Sequence, residues 1–244
     1  MAHIVVLGAG TGGMPAAYEL RDELDDAHKV TVVNERDYFQ FVPSNPWVAV
    51  GWRNREQITM PIARYLAKKN IDFIHARCDR IEADNIKLEL SNGDTVDYDY
   101  LLIATGPKLF FDEVEGSGPE NHTHSVCTVS HAEKFKADYD KIVEKGSGTI
   151  LVGAAPFASC FGPAYEFAMI VDTDLSRRKI RDKVHIKFVT SEPYIGHLGL
   201  GGIGDSKGLL ESEMRGRHIP WITNAKTTRF EEGKAFVEEL NEDG

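Results

Sequence analysis

Apolar residues along the chain alternate between two rhythms. Short, mostly apolar runs at 4–7, 30–33, 71–76, 99–104, 149–153 and 184–189 have the length and β-branched content of strands with buried faces. Between them the spacing turns helical. Met14, Ala17, Tyr18 and Leu20 begin a helix that runs to about Asp26, and further helices are predicted over 62–69, from a Ser130 cap to about Glu144, over 161–177 and over 206–217. Residues 80–98 differ, with short alternating runs around Asn92-Gly93, a hairpin turn signal, and read as an antiparallel meander inserted into the first parallel sheet. Residues 221–240 read as short strands around a Glu232-Gly233 turn. The aromatic, proline-punctuated stretch 39–47 reads as an irregular loop, either an aromatic plug over the first domain or a loop facing a cofactor. Residues 109–126 read as a linker. Strands alternating with helices imply an α/β fold of two Rossmann-like, doubly wound modules, 1–108 and 109–244, the second incomplete. The boundary falls where the strand at 99–104, expected to be buried, runs into Thr105-Gly106-Pro107.

The first run is followed at once by Gly8-Ala9-Gly10-Thr11-Gly12-Gly13 and a helix start. In that context Gly-x-Gly-x-x-Gly is a dinucleotide turn. Gly8 allows the turn, Gly10 lets backbone approach a pyrophosphate, Gly13 lets helix and strand pack, and the helix N-terminus faces the phosphates. The alternative is a glycine-rich turn with no ligand. At the end of the second strand, where an acid usually binds ribose hydroxyls, stand Asn34 and then Glu35, and either can reach.

The second module's turn reads Gly153-Ala154-Ala155-Pro156-Phe157-Ala158. Ala155 puts a methyl where a pyrophosphate needs bare backbone, Pro156 removes an N–H, and Ala158 replaces the third glycine. The module keeps a nucleotide fold that holds NAD(P) poorly. Cys160 follows at the mouth of a helix, where the dipole favours a thiolate; it reads equally as a small packing residue. Cys127 precedes another helix. Glu166, His131 and His197 are either reaction-centre groups or ordinary surface and core residues.

Charge and cysteine usage narrow the classes. Asp and Glu number 38 against 28 Lys and Arg, a net charge of −10 with no basic stripe, which excludes nucleic acid as a partner. Three scattered cysteines make neither a disulfide framework nor a zinc site, and no metal is expected. The first strand begins too early for a signal peptide. No apolar stretch approaches the roughly 20 residues of a membrane span, so the chain is expected to be soluble.

Together, the turn at 8–13, Tyr38-Phe39-Gln40-Phe41-Val42-Pro43-Ser44-Asn45-Pro46-Trp47, Ala104-Thr105-Gly106-Pro107-Lys108, Ser159-Cys160-Phe161-Gly162-Pro163-Ala164-Tyr165-Glu166 and Ser191-Glu192-Pro193-Tyr194-Ile195-Gly196-His197-Leu198-Gly199 resemble the sulfide:quinone oxidoreductases, flavoproteins with two dinucleotide-binding domains. The resemblance implies flavin-dependent oxidation of sulfide to polysulfide or sulfur, with electrons passed to a membrane quinone. It implies FAD at Gly8, Gly10, Thr11, Gly12 and Gly13, with Asn34, Glu35 and Cys78 toward the adenine end, Thr105 and Gly106 toward the flavin, and Ser44 and Ala104 also binding the cofactor. Cys160 and Cys127 match two of three redox cysteines, and Glu166, His131 and His197 match polar groups near the reaction or quinone side. Family members continue beyond 244. The remainder would carry the third cysteine and the helices that seat the parent enzyme, an expected homo-oligomer, peripherally on a prokaryotic membrane. This chain, ending in Asn241-Glu242-Asp243-Gly244, therefore reads as an N-terminal part with low or no activity. The rival readings are an NADH-dependent flavoprotein (a type II NADH dehydrogenase or a disulfide reductase) and a silent nucleotide-binding module.

Overall fold

The computed structural model describes residues 1–156, 158 and 160–240. Phe157 of the second turn, Ser159 of the cysteine motif and the 241–244 terminus lie outside the described residues. In chain order the elements are β1 (His3–Leu7), α1 (Gly13–Glu23), β2 (Lys29–Asn34), β3 (Tyr38–Gln40), α2 (Asn45–Ala49), α3 (Arg55–Ile58), β4 (Thr59–Pro61), α4 (Ile62–Ala67), β5 (Asp72–His75), β6 (Cys78–Glu82), β7 (Lys87–Leu90), β8 (Thr95–Asp97) and β9 (Tyr100–Ile103). Then follow α5 (Val129–Lys145), β10 (Gly148–Gly153), α6 (Gly162–Arg177), β11 (Val184–Val189), α7 (Ser206–Gly216), β12 (Trp221–Ile222), β13 (Ala225–Glu231) and β14 (Lys234–Glu239). They form two compact units, Met1–Phe41 with Arg55–Leu109, and Val42–Asn54 with the chain from Phe110 onward.

The first unit is built on a parallel sheet in the order β5-β2-β1-β9. Alternation along β1 divides its core. Val6 packs with Met14, Ala17, Val30, Val32, Ile62 and Leu66, the side covered by α1 and α4. Val5 and Leu7 pack with Val33, Ala76, Leu88, Leu90 and Val96 on the opposite face. The meander is thus inserted in the chain but not in the parallel sheet: β6, β7 and β8 form their own antiparallel sheet against its second face. The strand at 99–104 is only half covered. β9 lies at the sheet edge, with Leu102 turned to one core and Leu101 to the other, while Tyr100 and Ile103 are 66% and 60% exposed.

The second unit has β10, β11 and β12 in parallel, with Val184, Ile186, Phe188, Val171 and Leu175 in its core and β13–β14 as an antiparallel hairpin. The stretch 39–47 is more regular than expected. Tyr38–Gln40 pairs antiparallel with β4 in the first unit. Val42–Ser44 makes a 3-10 turn leading into α2, whose first turn accommodates Pro46 because the missing N–H would be unsatisfied there in any case. Val42–Asn54 belongs to the second unit. Asn45 Nδ2 donates to the Val126 carbonyl (3.0 Å), and Trp52 Nε1 donates to Asp174 Oδ1 (2.8 Å). The cap of α5 is Thr128 rather than Ser130: the Thr128 hydroxyl accepts from the His131 N–H at 3.2 Å.

Candidate functional site

In the first turn, glycines serve two different needs. Gly8 has φ +105°, and a Cβ there would overlap the Ala104 carbonyl; a Cβ on Gly13 would overlap the Gly8 carbonyl. Both are demanded by the fold. Gly10 is not: a Cβ there would meet nothing within 4 Å. Its bare backbone opens onto space at the mouth of α1. That helix has Gly12 at its N-cap, no capping side chain and no acid in its first turn, so its N-terminal end suits an anion. Thr11 and Gly12 are exposed beside it. The Ala104 N–H donates to the Leu7 carbonyl (2.8 Å), which lays Ala104-Thr105-Gly106 alongside the turn, with Thr105 and Gly106 exposed. This cradle fits a dinucleotide.

Asn34 and Glu35 separate in role. Asn34 Oδ1 accepts from the buried Ala9 N–H (2.9 Å) and Nδ2 donates to the Arg36 carbonyl (2.8 Å), so its amide braces the turn. Glu35 is exposed. Cys78, half-buried on β6, donates its S–H to the Arg80 carbonyl at 3.4 Å, and burial pushes its thiol up. Ser44 is buried in the second unit, immediately before α2.

The second turn departs further than its residue types foretell. Its first glycine is kept for the fold, since a Cβ on Gly153 would overlap the Val189 carbonyl. Residues 8–12 separate β1 from α1, whereas 154–161 separate β10 from α6. The helix therefore starts four residues after Ala158, and Cys160, exposed, sits two residues ahead of it. Cys127 is exposed too, one residue before the α5 cap, and all three thiols are free.

A cleft of about 600 Å³ in this unit is walled by α6 residues Tyr165, Glu166, Met169, Ile170, Thr173 and Arg177, by Trp52, and by Leu198 and Leu210. The Arg177 guanidinium lies 4.4 Å over the Trp52 ring. Glu166 is exposed in this wall. His197 adjoins Leu198, its ring edge-on to Tyr194 at 5.2 Å, while His131 stands edge-on to Phe111 at 5.8 Å in the first turn of α5. The cleft wall thus joins Glu166 to the loop of His197; Cys160, Cys127 and His131 are not among its described lining residues. No group of three His, Cys, Asp or Glu among the described residues is placed to hold a metal ion. Sequence reasoning missed Trp52 and Glu192. Trp52 lies beyond the aromatic run, and a glutamate between Ser191 and Pro193 reads as solvated until the fold buries it.

Residues 2–192 match the family described as pyridine nucleotide-disulphide oxidoreductase. The sulfide-quinone reductase of Aquifex aeolicus (strain VF5) is 43% identical over 239 residues, covering 98% of this chain and 54% of that protein. The X-ray structure of the sulfide:quinone oxidoreductase from Aquifex aeolicus matches with a TM-score of 0.93 at 42% identity, over 98% of this chain and 55% of that one. The type II NADH:quinone oxidoreductase of Staphylococcus aureus (strain NCTC 8325 / PS 47) is 28% identical over 165 residues, 63% of this chain and 40% of that protein. NDH2 from Plasmodium falciparum in complex with NADH shares the fold, with a TM-score of 0.78 at 19% identity, over 98% of this chain and 51% of that one. The chain spans about half the length of the Aquifex protein. On the match over residues 2–192, this chain belongs to the pyridine nucleotide-disulphide oxidoreductase family.

Proposed function

We propose that this chain carries the flavin cradle and sulfur-handling cysteines of a sulfide:quinone oxidoreductase. The observation that carries the reading is the asymmetry of the two turns: one open at Gly10, and one with Ala155, Pro156 and Ala158 ahead of a late helix start and an exposed cysteine beside it. The likeness to the Aquifex sulfide-quinone reductase supports it.

FAD is the cofactor that the family and the first turn indicate. Gly10, Thr11 and Gly12 present backbone to its pyrophosphate. Glu35 takes the ribose hydroxyls, because the Asn34 amide is already engaged. Ala104, Thr105 and Gly106 line the flavin side. When bound, FAD supplies two-electron acceptance and release. Overall, hydrogen sulfide and a quinone give zero-valent sulfur and a quinol. Cys160 forms the new S–S bond: its thiol and one hydrogen sulfide become a persulfide with loss of two protons and two electrons, and the electrons end on the quinone. Attack by sulfur requires a thiolate, so rate should follow thiolate fraction. Cys127 exchanges sulfur with Cys160, and Glu166, His131 and His197 are polar groups of the reaction or quinone side. A quinone acceptor places the whole enzyme at a membrane surface; among the described residues no helix is long and apolar enough to cross one.

Anaerobic absorbance spectra test the reading. A flavin band bleached by sulfide and not by NADH, with sulfide bleaching lost in Cys160→Ser, is expected. Bleaching by NADH, for which the likeness to type II NADH:quinone oxidoreductases offers some support, would replace the reading with an NADH-dependent flavoprotein.

A further inference from the structure

The carboxylate of Glu192 is 2% exposed and has three neutral donors around it. Tyr165 Oη, from α6, donates to Oε2 at 2.7 Å, and Thr190 Oγ1, just past β11, donates to the same oxygen at 2.7 Å. The Leu198 backbone N–H donates to Oε1 at 2.6 Å. Leu198 is held there with φ +57°, a left-handed conformation that a leucine seldom adopts without external restraint. The same knot extends along the loop. Gly196 N–H donates to Tyr165 Oη (3.1 Å), and Asn224 N–H donates to the Glu192 carbonyl (2.8 Å). A buried carboxylate is costly unless its lone pairs are satisfied, so its donors are held tightly once in place. Two of the three belong to elements of the core. The third belongs to the loop that carries His197 and puts Leu198 in the same cleft wall as Glu166.

We propose that Glu192 is a positioning residue: its buried carboxylate ties the 194–202 loop to α6 and the end of β11, and so sets Leu198, with His197 next to it in the chain, in the wall of the Glu166 cleft. The cleft wall is largely apolar, with Trp52, Tyr165, Met169, Ile170, Leu198 and Leu210 beside Glu166, which suits a flat, apolar ring ligand such as the quinone of the proposed reaction. The choice of quinone rests on that reaction; the tie itself does not.

The test uses the full chain, unaltered and as Glu192→Gln. The amide cannot accept from all three: with its oxygen toward Tyr165 and Thr190 its NH2 faces the Leu198 N–H, and with its oxygen toward Leu198 the two hydroxyls must turn round to accept. Hydrogen exchange of peptides over 194–202 should quicken at least tenfold, with β11 unchanged. In steady state the KM for decylubiquinone should rise about tenfold, with kcat and the KM for sulfide within twofold. Tyr165→Phe, which keeps the carboxylate and removes one donor, should show the same pattern more weakly and guards against a Glu192 variant that fails to fold. Unchanged loop exchange in both variants overturns the tie. Faster loop exchange with an unchanged quinone KM reduces Glu192 to a purely structural residue and overturns its positioning role. If the unaltered chain shows no flavin band bleached by sulfide, the proposed function fails, and loop exchange still decides the tie.

Discussion

At Gly10 the first unit leaves open space in front of a helix; at the matching place the second unit carries the methyl of Ala155. Gly8 and Gly153, by contrast, are both kept, and for one reason: each would drive a Cβ into the carbonyl of a neighbouring strand or its end. The motif therefore mixes two kinds of glycine. One kind is required by the close approach of backbone to backbone, and it survives in both units. The other is required only by a ligand, and it survives in one. Gly13 shows where the two kinds meet. It is tight against Gly8 because α1 begins at the turn, whereas Ala158 is tolerated because α6 begins four residues later.

The largest effect expected from this comparison is at the fold-serving glycines. Gly8→Ala or Gly13→Ala should cost about 3 kcal/mol or more in chemical denaturation, from overlap with backbone that cannot step aside. Gly10→Ala should change stability by less than about 1 kcal/mol yet weaken FAD binding tenfold or more, read by flavin fluorescence. Equal destabilisation at Gly10 and Gly13 would erase the distinction. The reverse change, Ala155→Gly with Ala158→Gly, should fail to create NADH binding, since Pro156 and the late start of α6 remain; saturable NADH binding by calorimetry would show that the two methyls alone closed the turn.

A smaller effect is expected at Asn34. Asn34→Ala leaves the buried Ala9 N–H without its acceptor and should cost about 1–2 kcal/mol. FAD affinity should fall less than in Glu35→Ala if Asn34 only braces the turn. The smallest effect concerns His3, on β1. Burial, reinforced by Lys29, pushes its pKa below the ordinary value, while Nε2 lies 2.8 Å from Thr31 Oγ1. The unfolded chain then binds the proton more readily than the folded one, so this contribution to stability is present above about pH 6.5 and fades as pH falls below it. The urea midpoint should drop between pH 7.5 and pH 5, and His3→Gln should flatten part of that drop.

Much of this was legible in the sequence because local physics decided it. The β1–turn–α1 unit follows from an apolar run, glycines and helical spacing, and the meander from alternation around Asn92-Gly93. What stayed hidden was decided by distant contacts. The 39–47 stretch read as an irregular loop, because nothing local records the pairing of Tyr38–Gln40 with Thr59–Pro61 or the bond from Trp52 to Asp174, 122 residues away. Ser130 and Thr128 are both good caps, and only the backbone selects Thr128. β9 looked buried because its residues are apolar, whereas its edge position leaves both ends open. Of the candidate site residues, the turn glycines and Ala104 lie together, and Glu166 lines a cleft whose wall includes a neighbour of His197. Glu192 could not be read, since burial of a carboxylate appears only when Tyr165 and the 198 amide close around it.

The most direct measurement is a count of dinucleotides bound per chain, by equilibrium titration of FAD and NADH against the unaltered protein and Gly10→Ala. One FAD and no NADH on the unaltered chain, and no FAD on Gly10→Ala at the same concentrations, is the predicted result. NADH binding at a second site, or undiminished FAD binding by Gly10→Ala, would contradict it.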